Sequence, residues 1–203
     1  MGIDSLYDAV MRAEHKGNIG KEGYNPWIRT KGTKGQRQGT SSGSNAFGPV
    51  QILSSTMSNI PMTKEGKPMI DYSDEELSFI DSYKEQGQRF YDHGANRGKN
   101  EEGYTYDPRF DYGGEGEGYS PEEKGLYESV SKKIMQYEYN RADENLDTFI
   151  KRWRFGDSSD KGYEHDTDYF DIIRDAEAVD GAVNEQGADA FNTLPAFFGG
   201  GEY

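Results

Sequence analysis

Apolar residues recur at helical spacing almost from the first residue. In IDSLYDAVMRAEHKGN, Leu6, Ala9, Val10 and Ala13 follow the i, i+3, i+4, i+7 order of one helical face, with Asp4 or Ser5 as the expected cap and Gly17 as the stop. Gly48-Pro49 predicts the start of a second helix, since proline suits a first helical turn. Ser73 and Glu76 spell a capping box ahead of Leu77, Ile80 and Phe90. Ser120, Pro121 and Glu123 repeat that signal before Leu126, Val130, Ile134 and Tyr137. A shorter helix carries Leu146, Phe149, Ile150 and Trp153 and closes at Gly156, and a last one surrounds DYFDIIRDAEAV. Strand signals are weak, so the expectation is a mainly α domain with at most a small hairpin.

Between these segments the pattern lapses. YNPWIRTKGTKGQRQGTSSGSN reads as a long loop with a cationic stretch at Arg29, Lys31, Lys34 and Arg37. NEEGYTYDPRFDYGGEGEGYS reads as a surface loop. From Gly181 onward small residues dominate, which divides the chain into a domain over 1–180 and a flexible C-terminal tail over 181–203 ending in LPAFFGGGEY.

Composition narrows the picture. The 203 residues suffice for one domain, and although mean hydropathy is -1.00, 15 Tyr and 10 Phe supply large rings for a core. A formal charge of -14 argues against a nucleic-acid partner, which calls for a basic face. Cysteine is absent, and no apolar run reaches the roughly 18 residues of a membrane span. Asp4 and Asp8 interrupt the N-terminal segment, so no signal peptide is expected. The histidines, at 15, 93 and 165, spell no zinc motif, and the acidic stretches DSSDKG and DTDYFD lack a full calcium loop. No metal and no cofactor are expected.

Two positions carry candidate chemistry. Glu14 lies four residues after Val10 and seven after Tyr7, at the edge of the first apolar face. A carboxyl group set against apolar surface has a raised pKa, as a general acid at neutral pH requires. Gln51, between Val50 and Ile52, needs a partner for both ends of its amide. That partner is either a ligand or the protein's own backbone.

Glu14, then Tyr24-Asn25-Pro26, then AFGPVQI at Ala46 to Ile52, resembles the lytic transglycosylase and goose-type lysozyme superfamily. There a catalytic Glu ends a helix, an aromatic-Asn-Pro element follows, and a Gly-x-x-Gln-hydrophobic motif opens the next helix. Gly48, Gln51 and Ile52 match that last motif. RWRFG, around Trp153, and DYFDII, around Tyr169, correspond more loosely to the family's later regions. The likeness covers 2–57, extends thinly over 126–173 and is absent elsewhere. Its departures are His15, where the family usually has Ser, and the stretched loop before Gly48, a feature of phage-encoded members. His15 is expected to face solvent.

The resemblance implies a lysozyme-like fold and cleavage of the bond between N-acetylmuramic acid and N-acetylglucosamine, with Glu14 as acid and base. It places Gln51, Gly48, Ile52, Tyr24, Trp153 and Tyr169 around the sugar. No second carboxylate has motif support, which favours a transglycosylase, in which the substrate's N-acetyl group assists, over a hydrolase. Peptidoglycan strands are then the partner, with virion proteins as candidates for the tail. The expected location is the phage virion, or the host envelope (periplasm) after delivery. The alternative is a virion structural or assembly protein that keeps the fold without catalysis.

Overall fold

The computed structural model describes residues 1–16, 18, 24–27, 46–95, 108–110, 118–156, 164 and 166–185, with the backbone alone at 88–95, 108 and 181–185. Helix α1 spans Ile3–Glu14 and buries Leu6, Tyr7, Ala9, Val10 and Ala13, the stripe that periodicity predicts. Its cap is Gly2, with no side-chain cap bond, so neither Asp4 nor Ser5 plays that part. His15 closes the helix.

Pro49 does not open a helix. Ala46–Phe47 (β1) and Ile52–Leu53 (β2) pair antiparallel, with Ala46 opposite Leu53 and Phe47 opposite Ile52. Gly48 to Gln51 form the turn between them, closed by the Gln51 amide donating to the Gly48 carbonyl at 3.1 Å. Pro49 takes the second turn position, which its fixed φ also suits. Gly48 and Gln51 both have positive φ, +79° and +50°, and this ends any helical run through the motif. The next helix, α2, begins only at Ser54 and runs to Ser58.

Helix α3 covers Asp74–Ala95 and α4 covers Pro121–Arg141. Both capping boxes form: Ser73 and Glu76 exchange bonds of 2.8 and 3.2 Å, Ser120 and Glu123 bonds of 2.7 and 3.2 Å. Along α3 the buried face is Phe79, Ile80 and Tyr83, whereas Leu77 is exposed. Helix α5 runs from Leu146 to Phe155, capped by Asn145 and ended by Gly156 at φ +87°. Helix α6, Thr167–Glu185, continues past Gly181, where the sequence predicts the tail. The rest of that tail, and the cationic loop at 28–45, lie outside the described residues.

Helix α6 packs antiparallel along α1. Asp180 accepts from the Gly2 amide at 2.9 Å and from Ser5 Oγ at 3.1 Å, while Tyr169 reaches Glu14 at the opposite end. Helix α4 lies against α1, α3 and α5. An aromatic cluster fills the space under the hairpin: Trp27, Phe47, Phe110, Tyr119 and Tyr127 meet edge-on at centroid distances of 5.0 to 6.4 Å. Trp27, partly buried, therefore packs against the core. Phe110 and Tyr119, from the stretch that composition marks as surface loop, are buried with it.

Candidate functional site

The site lies where α1 ends. Glu14, the last helical residue, keeps only 10% of its side chain exposed. Tyr169, from the first turn of α6, donates its hydroxyl to Glu14 Oε1 at 2.9 Å. Arg154, from the last turn of α5, sets Nη1 3.3 Å from Glu14 Oε2 and Nε 3.1 Å from Asp166 Oδ2. The guanidinium also lies over the Tyr169 ring, 4.8 Å from its centroid. Two carboxylates, a guanidinium and a phenol thus share one locus supplied by three helices.

Opposing effects act on the Glu14 proton. Burial raises its pKa above the ordinary carboxylate value, and the Asp166 charge adds to the rise. The Arg154 charge and the Tyr169 hydrogen bond pull it down, but burial prevails. Burial, with Glu14 as hydrogen-bonded acceptor, holds the Tyr169 phenol protonated, so Tyr169 remains a donor. This combination gives a carboxyl group able to hold a proton above the pH at which a solvated Glu loses it.

His15 does not face solvent. It is 5% exposed and its Nδ1 is hydrogen-bonded to the Tyr24 hydroxyl, with the two rings edge to face at 5.5 Å. Burial lowers its pKa, against an opposing effect from the Pro49 and Gly48 carbonyls beside it. The solvent expectation fails because His15 sits at a three-way junction of α1, the Tyr24 segment and the hairpin turn. Among the described residues its Nε2 makes no hydrogen bond.

The hairpin residues have firm structural roles. Gln51 Nε2 donates to the Gly48 carbonyl at 2.7 Å, so one end of the amide is satisfied by backbone. A Cβ at Gly48 would stand 2.6 Å from the Tyr127 ring, and positive φ adds to the demand for glycine. That account of Gly48 requires no ligand. Ile52 is buried in the core beneath the turn. Trp153, half-buried, stacks on Phe149 at 5.6 Å.

Sequence reasoning selected Glu14 and Tyr169, which meet, and Tyr24 and Gly48, which gather around His15. It missed Arg154 and Asp166. The only signal for them was an arginine flanking Trp153 just before the helix-ending Gly156, and an aspartate just ahead of the last helix. Among the described residues, no three His, Asp or Glu side chains stand together to hold a metal. A groove of ≈ 460 Å³ along α1 and α6, lined by Ser5, Arg12, Ile172 and Val179, does not include Glu14. Comparison with known proteins gives no family model, no curated protein and no solved structure that matches this chain.

Proposed function

We propose that this protein cleaves peptidoglycan at the bond between N-acetylmuramic acid and N-acetylglucosamine, as a lytic transglycosylase or muramidase of phage origin used in wall penetration or lysis. One observation carries the reading. Of the residues that the resemblance names, Tyr169 bonds Glu14, while Tyr24 and the Gly48-Pro49 turn lie against the adjoining His15 at the end of α1. In this reading Glu14 gives its proton to the glycosidic oxygen, and Tyr169 fixes the carboxyl orientation. Glu14 then takes a proton from the sugar's 6-hydroxyl, or from water, as the cation-like centre collapses. Asp166 is the one described carboxylate that shares the locus, and Arg154 already holds it. This favours the transglycosylase route, which needs no second acid.

Mass spectrometry of muropeptides released from purified peptidoglycan, with Glu14→Gln and Asp166→Asn alongside, tests the proposal. Fragments with 1,6-anhydro ends that vanish in Glu14→Gln and persist in Asp166→Asn are expected. Reducing-end products that require both residues would make it a hydrolase. A second reading, a virion structural protein with an inert lysozyme-like fold, is favoured by the ion pair that occupies Glu14 in the resting molecule. No release from any wall type by the unaltered protein would count against the enzyme and favour that second reading.

A further inference from the structure

We propose that Arg154 is the receptor for a carboxylate of the incoming glycan, and that in taking this new partner it releases Glu14 to act as an acid. The inference rests on the peptidoglycan reading above. Arg154 is the open member of the site: its side chain is 36% exposed, against 10% for Glu14 and 18% for Asp166. Its Nε is engaged by Asp166 and its Nη1 by Glu14, whereas Nη2 donates to nothing among the described residues. An arginine fork with unused donors, held in a fixed plane, suits a carboxylate. The Tyr169 ring under the guanidinium and Asp166 at Nε hold that plane independently of Glu14. The Glu14 contact, at 3.3 Å, is longer than a strong charge-assisted bond and is the partner most readily exchanged.

Among the described residues, the charged and titratable groups that act on Glu14 are Arg154 from α5, Asp166 just ahead of α6 and Tyr169 in the first turn of α6. A ligand carboxylate on Arg154 neutralises its positive charge and takes the guanidinium contact away from Glu14. Both changes favour the proton-bound form of Glu14. Muramic acid freed of its stem peptide carries such a group, a lactyl carboxylate, whereas in a peptide-bearing strand that carboxyl is a neutral amide, and glucosamine carries none. The acid is thereby armed most strongly by a muramic acid that presents a free carboxylate.

The test is a carbon-detected NMR titration of the Glu14 side-chain carboxyl in the full chain, with N-acetylmuramic acid or neutral N-acetylglucosamine added. N-acetylmuramic acid is expected to raise the Glu14 midpoint by about 1 pH unit. N-acetylglucosamine is expected to leave it in place. In Arg154→Met the midpoint starts high and neither sugar moves it. Arg154→Lys, which keeps the charge, starts near the unaltered value and shows a weakened response. An equal response to both sugars, no response at saturation, or a response that survives in Arg154→Met overturns the proposal. The titration needs no turnover, so it separates the two claims. A shift without wall cleavage would sink the enzyme reading and leave the receptor standing, and cleavage without the shift would do the reverse.

Discussion

Glu14 and Glu76 are both buried glutamates, and they respond to pH with opposite signs. Glu76 accepts from the Ser73 amide, Ser129 Oγ at 2.6 Å and Lys133 Nζ at 2.7 Å, and these bonds outweigh burial and lower its pKa. Its contribution to stability is therefore present above the ordinary carboxylate value and is lost as pH falls through the lowered one. For Glu14 burial wins, the folded state holds the proton more tightly than the unfolded chain, and stability falls as pH rises through that window. Glu14→Gln should then raise stability at neutral pH by about 1 kcal/mol, the common size of a gain at a functional site. The gain should disappear once both forms are protonated. Urea unfolding at neutral and acid pH checks this, and a loss of stability at pH 7 would mean that the Arg154 pair outweighs burial. Activity should drop about 100-fold or more, the usual loss when a general acid is removed. Tyr169→Phe removes a donor to the carboxylate, so the limb along which activity falls with rising pH should move upward. Glu14 was legible because helical spacing sets it at the edge of the first apolar face, whereas Tyr169 came only from the loose likeness of DYFDII. Arg154 was not legible, since its role depends on the end of α5 reaching the end of α1 in space, which no local pattern encodes.

At the scale of elements, local signals survived and inserted geometry did not. Both capping boxes are satisfied within four residues and form as the sequence spells them. The same Glu76 that completes one box also ties α3 to α4 through Ser129 and Lys133, more than fifty positions away, which no spacing announces. The hairpin is the larger departure. Its strands have two residues each, too short to stand alone, and core hydroxyls hold them. Tyr127 donates to the Phe47 carbonyl at 2.7 Å, and Tyr83 lies 3.0 Å from that carbonyl and 2.6 Å from the Ile52 carbonyl. Tyr83→Phe removes the 2.6 Å bond to the Ile52 carbonyl and should cost about 0.5–1.5 kcal/mol, the net contribution of one hydrogen bond. Gly48→Ala should cost about 2–4 kcal/mol, from left-handed strain together with overlap on Tyr127. Chemical denaturation measures both, and a Gly48→Ala cost below 1 kcal/mol would show that the turn can relax away from Tyr127.

Across the whole molecule, helical class was legible because apolar periodicity survives even at a mean hydropathy of -1.00. The core was less so: Phe110 and Tyr119 come from a Gly- and Glu-rich stretch whose composition hides two buried rings. What composition does expose is the charge of -14. Such an excess repels itself in the compact state, while the visible ion pairs, such as Arg174 with Asp147 at 2.7 Å, are largely exposed and individually weak. Salt acts on both. Between about 0.01 and 1 M the Debye length falls from about 30 Å to about 3 Å. Long-range repulsion is screened over that range before close pairs are. Stability should therefore rise with added sodium chloride by about 1 kcal/mol, or about 2–4 °C in Tm for a chain of this size. Calorimetry over a salt series at pH 7 reads it directly. A Tm that falls with salt would mean that the ion pairs linking α1, α5 and α6, the Arg154 pairs among them, contribute more to the fold than the net charge takes away. In that case the fold and the candidate site would be held by the same few contacts, and substitutions at Arg154 would lower stability and proton affinity together.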